Sequence, residues 1–202
     1  MKKQKIGIYG GTFSPPHVGH VSAAESFAKA IDFDKLIIMP DFLPPHKKYD
    51  GEVTAEDRMQ MCSLAFSHIA NVEISDMEIK RGGKSYTAIT LDELSSDDRE
   101  LYFLCGTDMF LTLGEWYAPE KIFERATICI IRRENDPVND SRIDELIDEY
   151  KEKYSAKIVK ISGDVVEVSS SEVRDAVKNS RPSSELLPEK VYKYILDKGF
   201  YR

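Results

Sequence analysis

Cysteine is scarce in this 202-residue chain: Cys62, Cys105 and Cys129 are odd in number and widely spaced in apolar surroundings. That pattern argues against a disulfide framework or a thiolate zinc site and fits reduced core thiols of a cytosolic protein. Positive charge is short as well. Against 35 Asp and Glu stand 28 Lys and Arg, a formal net charge of −7, whereas a general nucleic-acid surface carries a basic face, so no nucleic-acid partner is expected. No apolar run approaches the roughly 20 residues that a spanning helix needs. With no recognisable leader segment either, a cytoplasmic protein with no membrane partner is expected. Internal repeats and low-complexity tracts are missing, and 42 % apolar with 31 % charged residues suits one well-filled soluble core. Finally, residues 7 to 12 read Gly-Ile-Tyr-Gly-Gly-Thr, which is not the Gly-x-Gly-x-x-Gly that a Rossmann dehydrogenase requires.

What is present concentrates in residues 9 to 20, Tyr-Gly-Gly-Thr-Phe-Ser-Pro-Pro-His-Val-Gly-His. Lys5-Ile6-Gly7-Ile8-Tyr9 reads as a short buried strand, and Gly10 and Gly11 permit a tight turn and close backbone approach at its carboxyl end. Pro15 and Pro16 preset a helix start. Apolar residues at 18, 21, 24, 27, 28 and 31 then follow the helical period, which predicts His17 and His20 one turn apart on the opening face, at the mouth of a cleft. Free amides at a helix start attract anions, and imidazole donors beside them strengthen as charge builds on a phosphate. Gly19 leaves the backbone open to a base or ribose. A tight turn with two surface histidines is the plain alternative. Metal ligation by His-x-x-His lacks a suitable third ligand nearby in sequence, so no metal site built from protein side chains is expected.

Val168-Ser169-Ser170-Ser171-Glu172-Val173-Arg174 reads as a strand end, a serine-rich cap and a first helical turn. Ser170 and Ser171 can donate to phosphate oxygens and Arg174 offers a planar fork of N–H donors; taken alone, the stretch is an ordinary capping box. Leu101-Tyr102-Phe103-Leu104-Cys105 ends in Gly106-Thr107-Asp108, an acid where a ribose hydroxyl pair can be held. Trp116, followed by Tyr117, is either a platform for an aromatic ring, a cationic pyridinium gaining most, or a core or lid residue. Lys47, in the loop Pro44-Pro45-His46-Lys47, is either a point charge for a phosphate or a solvated loop charge. Thr87, in Ser85-Tyr86-Thr87, suits the cap of a helical segment through Leu94. Arg132 and Arg133, after an apolar strand, either help hold acceptor charge or face solvent.

Gly10 to His20 resembles the signature of the nucleotidylyltransferase superfamily, whose members transfer AMP or CMP from a nucleoside triphosphate to a phosphate or phosphate ester. Ser14 stands where an acidic or amide residue is frequent, so no separate catalytic role passes to it. Residues 168–174 resemble the Ile-Ser-Ser-Thr-x-x-Arg element of that superfamily, with Val168 for isoleucine and Ser171 for threonine. The block Gly106-x-Asp108 through Trp116, the Pro-Pro-His-Lys loop and the Ser-Tyr-Thr step are similar to the bacterial-type nicotinate-nucleotide adenylyltransferase family, in the family's order from Lys5 to Arg174.

The resemblance implies AMP transfer from ATP to nicotinate mononucleotide, a step of NAD biosynthesis giving nicotinate adenine dinucleotide and pyrophosphate. ATP would be bound by Gly10, Gly11, Thr12, Phe13, Gly19 and Gly106, its ribose by Asp108, and its leaving phosphates by Ser170, Ser171 and Arg174. His17 and His20 would contact the phosphates, His20 foremost at the α-phosphate, and Mg2+ would accompany the triphosphate. Lys47 would meet the acceptor phosphate, and Thr87, Trp116 and Tyr117 the nicotinate. Phosphopantetheine adenylyltransferases share the first and last motifs, but those chains are shorter and lack the Ser-Tyr-Thr and Gly-x-Asp-to-Trp pattern. A non-catalytic nucleotide sensor is opposed by the intact His17, His20 and Arg174.

Strands are expected near 5–9, 35–39, 71–75, 101–105, 126–131 and 157–161 with helices between most of them. This alternation predicts an α/β fold, a Rossmann-like doubly wound and mostly parallel sheet with helices on both faces and a small C-terminal helical tail. One domain over 1–202 is the simplest partition, with 168–202 as phosphate-binding turn and tail. Arg132 to Arg142 reads as a polar loop, Ser141 as the cap of an acidic surface helix through Lys153, and Glu189 to Leu196 as an amphipathic helix ended by Gly199. The sequence leaves room for a homo-oligomer.

Overall fold

Period-two apolar alternation sorts the strand side chains to two faces of one sheet. In the computed structural model, which describes residues 2–45, 53–131, 137–163 and 165–202, with only the backbone at 137–139, that alternation separates two cores. β1 (Gln4–Gly11) sends Ile6 and Ile8 to one face and Tyr9 to the other; β2 (Lys35–Pro40) sends Ile37 and Met39 one way and Leu36 and Ile38 the other. The Tyr9 face is covered by α1 (Val18–Ala30) and α2 (Ala55–Phe66), through residues such as Phe27, Met61 and Phe66. After β3 (Val72–Ile74), α3 (Met77–Arg81), α4 (Thr87–Leu94) and β4 (Arg99–Gly106), the chain returns to the Ile6 face. There α4 is joined by α5 (Thr107–Phe110), α6 (Pro119–Arg125) and α7 (Pro137–Tyr154), burying Leu91, Phe110, Ile122 and Ile147. β5 (Ala126–Ile131) and β6 (Ile158–Ile161) complete the sheet, and α8 (Ser170–Lys178) and α9 (Glu189–Lys198) return Val173, Val191 and Ile195 to the first core.

The six strands lie in the order β3-β2-β1-β4-β5-β6, every neighbouring pair parallel. The sheet is therefore wholly parallel where the sequence suggested mostly parallel. All six strands fall where expected, within two residues at each end. In a sheet of this order the chain reverses direction between β1 and β4, which opens a crevice at the carboxyl ends of those strands.

One helix start differs from expectation. Ser141 does not cap the acidic helix but lies inside it, because α7 begins at Pro137; proline is preorganised for the first helical position and has no N–H to leave unpaired. At the other end of the chain Gly199 closes α9 at φ 71°, a left-handed position that favours glycine. All three cysteines are free and buried. Burial pushes the Cys62 thiol up and the Cys129 thiol up to about 12, so neither is a ready nucleophile. No helix among the described residues is long and apolar enough to cross a membrane.

Candidate active site

A cavity of about 400 Å³ opens at the β1/β4 crevice, and both sequence motifs line it: His17 and His20 from the turn after β1, Ser170, Ser171 and Arg174 from the start of α8. Hydrogen bonds tie the two turns together. The Ser170 hydroxyl donates to the Pro15 carbonyl (3.0 Å) and Arg174 Nη1 to the Ser14 carbonyl (2.8 Å), while Arg174 Nη2 reaches Ser171 Oγ at 3.1 Å. Ser169, three residues ahead of Glu172, is the N-cap of α8, accepting from the Glu172 amide at 3.1 Å. Ser170 and Ser171, one bonded to Pro15 and the other to Arg174, follow it at the helix mouth, where first-turn amides favour an anion.

His17 is the N-cap of α1 rather than part of its opening face, and it is only 2 % exposed rather than a surface residue. The two histidines cap each other: the His20 amide donates to His17 Nδ1 (3.3 Å) and the His17 amide to His20 Nδ1 (3.2 Å), with ring centroids 3.6 Å apart. An imidazole that accepts at Nδ1 carries its proton on Nε2 when neutral. The capping box thus fixes both rings in the same tautomer and makes Nε2–H the donor each presents. Phe13, buried and at φ 48°, lines the cavity and sets its ring edge-on to that of His20 with the centroids 5.0 Å apart, so its side chain braces the imidazole.

Gly19 is demanded by a neighbour the sequence did not suggest. A Cβ there would lie 2.5 Å from the Val166 carbonyl oxygen, a backbone atom on the segment leading to α8. Gly19→Ala must push that segment away from α1, and overpacking of this kind costs about 1–3 kcal/mol; a lower urea midpoint together with weaker ATP binding is the expected outcome.

Beneath the first turn lies a buried ion pair that sequence reasoning missed. Arg58 of α2, 1 % exposed, donates from Nη1 to the Thr12 carbonyl (2.8 Å) and to Asp41 Oδ1 (3.3 Å), and from Nη2 to the Asp41 carbonyl (2.7 Å). The Thr12 hydroxyl donates to Asp41 Oδ2 at 2.7 Å. Thr12 is thus occupied in holding the turn to the end of β2. The available signal was Arg58 itself, which stands with Met61, Cys62 and Ala65 on the buried stripe of α2 at helical spacing. A charge on such a stripe needs a buried partner.

The strand ends and the chain beyond them supply the rest of the lining. Gly10, Gly11, Gly106 and Asp108 line the cavity at the strand ends, and Thr87 and Trp116 line it from α4 and the chain following α5. Thr87 is the first residue of α4 and not its cap, which is Tyr86. Trp116 is half-buried against the second core and donates from Nε1 to Thr112 Oγ1 at 3.2 Å, so it is both packed and presented to the cavity. Tyr117 is not brought in: it is 56 % exposed, outside the cavity lining, with its ring 4.6 Å from that of Tyr86. Lys47, Arg132 and Arg133 lie outside the described residues. Buried Ser85 and Glu78 also line the cavity. Ser85 Oγ accepts from the Phe42 amide (2.9 Å) and its own amide donates to the Leu43 carbonyl (2.9 Å), which fixes the loop after β2. Burial raises the Glu78 carboxyl above its ordinary range, opposed by hydroxyls of Thr90 and Ser85 and by Arg81. Among the described residues no cluster of three His, Cys, Asp or Glu could hold a metal ion.

Comparison with known proteins decides between the readings this geometry allows. The cytidylyltransferase-like family matches residues 8–176. A protein of Lachnoclostridium phytofermentans named "Probable nicotinate-nucleotide adenylyltransferase" is 38 % identical over 200 residues, covering 98 % of this chain and 99 % of the relative. The chain belongs to the nicotinate-nucleotide adenylyltransferase family. A member of the same name from Caldicellulosiruptor saccharolyticus is 33 % identical over 198 residues, 98 % of this chain and 99 % of its own. This nicotinate-nucleotide adenylyltransferase family member also shares its fold with a solved structure, the Plasmodium falciparum nicotinic acid mononucleotide adenylyltransferase complexed with NaAD. The TM-score is 0.76 at 18 % identity, covering 98 % of this chain and 97 % of that one.

Proposed function

We propose that the protein transfers the AMP moiety of ATP to nicotinate mononucleotide, giving nicotinate adenine dinucleotide and pyrophosphate, a step of NAD biosynthesis. The observation that carries this reading is the hydrogen-bonded convergence of the histidine turn and the serine-arginine turn on one cavity at the β1/β4 crevice. Family membership across nearly the whole chain supports the choice of acceptor.

The acceptor's 5′-phosphate oxygen attacks the α-phosphorus in line; the bond from that phosphorus to the oxygen bridging to the β-phosphate breaks, and pyrophosphate leaves opposite. Both reactants are anions, so the enzyme's work is alignment and stabilisation of charge spreading over phosphate oxygens. His20 donates to the α-phosphate from Nε2 and His17 supports it. Ser170, Ser171 and Arg174 hold the β- and γ-phosphates at the mouth of α8. The Gly10, Gly11 and Gly106 backbone lets the nucleotide lie close to the strand ends, with Asp108 on its ribose. Thr87 and Trp116 hold the nicotinate, and Lys47 its phosphate. Mg2+ would supply charge neutralisation on the triphosphate; of the buried carboxylates that line the cavity, Asp41 is paired with Arg58 and Glu78 with Arg81, so the ATP phosphates themselves would hold the ion.

Trp116→Ala tests the acceptor side. Removing an aromatic platform worth about 1 kcal/mol or more beyond buried area is expected to raise the KM for nicotinate mononucleotide severalfold and to leave the KM for ATP unchanged; an unaltered acceptor KM places the indole elsewhere. The reading as a whole is tested by pyrophosphate release with ATP and, in parallel, nicotinate mononucleotide, its amide or phosphopantetheine. Release with nicotinate mononucleotide fastest is expected. Release only with phosphopantetheine, or none with any acceptor, overturns it.

A further inference from the structure

The last turn of the chain reaches back to the first motif. Tyr201, the penultimate residue, is 3 % exposed, and its hydroxyl lies 3.0 Å from Ser14 Oγ, 187 positions away. Ser14 is also buried, and it is the residue whose carbonyl receives Arg174 Nη1 at 2.8 Å. Its neighbour Pro15 receives the Ser170 hydroxyl. The Ser14 side chain and carbonyl therefore connect three parts of the molecule: the turn after β1, the start of α8 and the C-terminus.

The chain around Tyr201 is built to deliver that hydroxyl. Gly199 ends α9 in a left-handed cap, Tyr201 itself sits at φ 61°, and the helix is anchored to α2 through Tyr194, whose hydroxyl donates to Asp57 Oδ1 at 2.7 Å, and Lys198, 3.6 Å from the same carboxylate. A non-glycine residue with positive φ is uncommon and persists where surrounding structure requires it. The cytidylyltransferase-like match covers residues 8–176, so Ser14 lies within it and Tyr201 beyond it.

We propose that Tyr201 is a positioning residue for adenylyl transfer: its hydroxyl pins Ser14 and thereby fixes the backbone carbonyl on which Arg174 is aimed at the leaving phosphates. This rests on the adenylyl-transfer reading above. The test is a double-mutant cycle on kcat with ATP and nicotinate mononucleotide, well below the unfolding temperature. Tyr201→Phe removes one oxygen and keeps the ring. A lost hydrogen bond of ordinary strength corresponds to a fall in kcat on the order of fivefold, with the acceptor KM unchanged, and Ser14→Ala should give a similar fall. Because both variants break the same bond, the double variant should be no slower than the slower single one. Ile147→Val removes a methyl group from the second core under α7, away from Ser14 and α9, and should lower Tm while keeping wild-type kcat.

Wild-type turnover by Tyr201→Phe, multiplicative losses in the double variant, or an equal loss in Ile147→Val would each overturn the proposal. Wild-type protein that makes no dinucleotide in the same assay overturns the functional reading instead, so the two failures are distinguishable.

Discussion

Replacing His20 by alanine is expected to lower turnover by on the order of a hundredfold or more, the usual loss when a donor that acts only in the transition state is removed. The reciprocal cap makes the substitution informative in two ways. His20 Nδ1 is the acceptor for the His17 amide, so His20→Ala removes both a phosphate donor and a capping partner, and loss of a cap costs about 1 kcal/mol of stability. Glutamine at this position of a capping box can accept the same amide. His20→Gln is therefore expected to recover stability and not turnover. Recovery of both in His20→Gln, or near-normal turnover in His20→Ala, would show that the imidazole serves the helix and not the reaction.

Arg58→Met is expected to be the most destabilising single change. It leaves the Asp41 carboxylate buried without its guanidinium and removes the donor to the Thr12 and Asp41 carbonyls; breaking a buried pair on one side costs about 3–5 kcal/mol. Equilibrium urea unfolding reads this directly as a lower midpoint. Removing both charges together is often nearly neutral, so Arg58→Met/Asp41→Leu should regain much of the stability. Turnover should stay low in the double variant, because Thr12 has lost both its carbonyl donor and the acceptor of its hydroxyl. A single variant within about 0.5 kcal/mol of wild type, the range of an ordinary surface change, contradicts this account of the turn.

The strands were legible because each is a short apolar run bounded by polar or glycine-rich chain, and strand existence follows from that pattern alone. The site was legible where function and backbone demand coincide in adjacent residues: the turn from Gly10 to His20, the stretch from Ser169 to Arg174, and Asp108 at a strand end. It was not legible where contacts are long-range. Nothing local to Gly19 announces the Val166 carbonyl against it, and nothing near Ser14 announces Tyr201. Tyr117 follows Trp116 directly, yet successive residues leave the backbone in different directions, and its ring lies on Tyr86 outside the cavity. Periodicity marks the apolar stripe and so puts His17 on the helix, whereas its role as the cap depends on backbone angles one residue before the helix, φ −132° and ψ 175°.

The most direct test is a crystal structure of the protein with a non-hydrolysable ATP analogue. The α-phosphate should lie within hydrogen-bonding distance, about 3 Å, of His20 Nε2, with the β- and γ-phosphates in reach of Ser170, Ser171 and Arg174. A triphosphate touching only one of the two turns, or lying outside the β1/β4 crevice, would contradict the account.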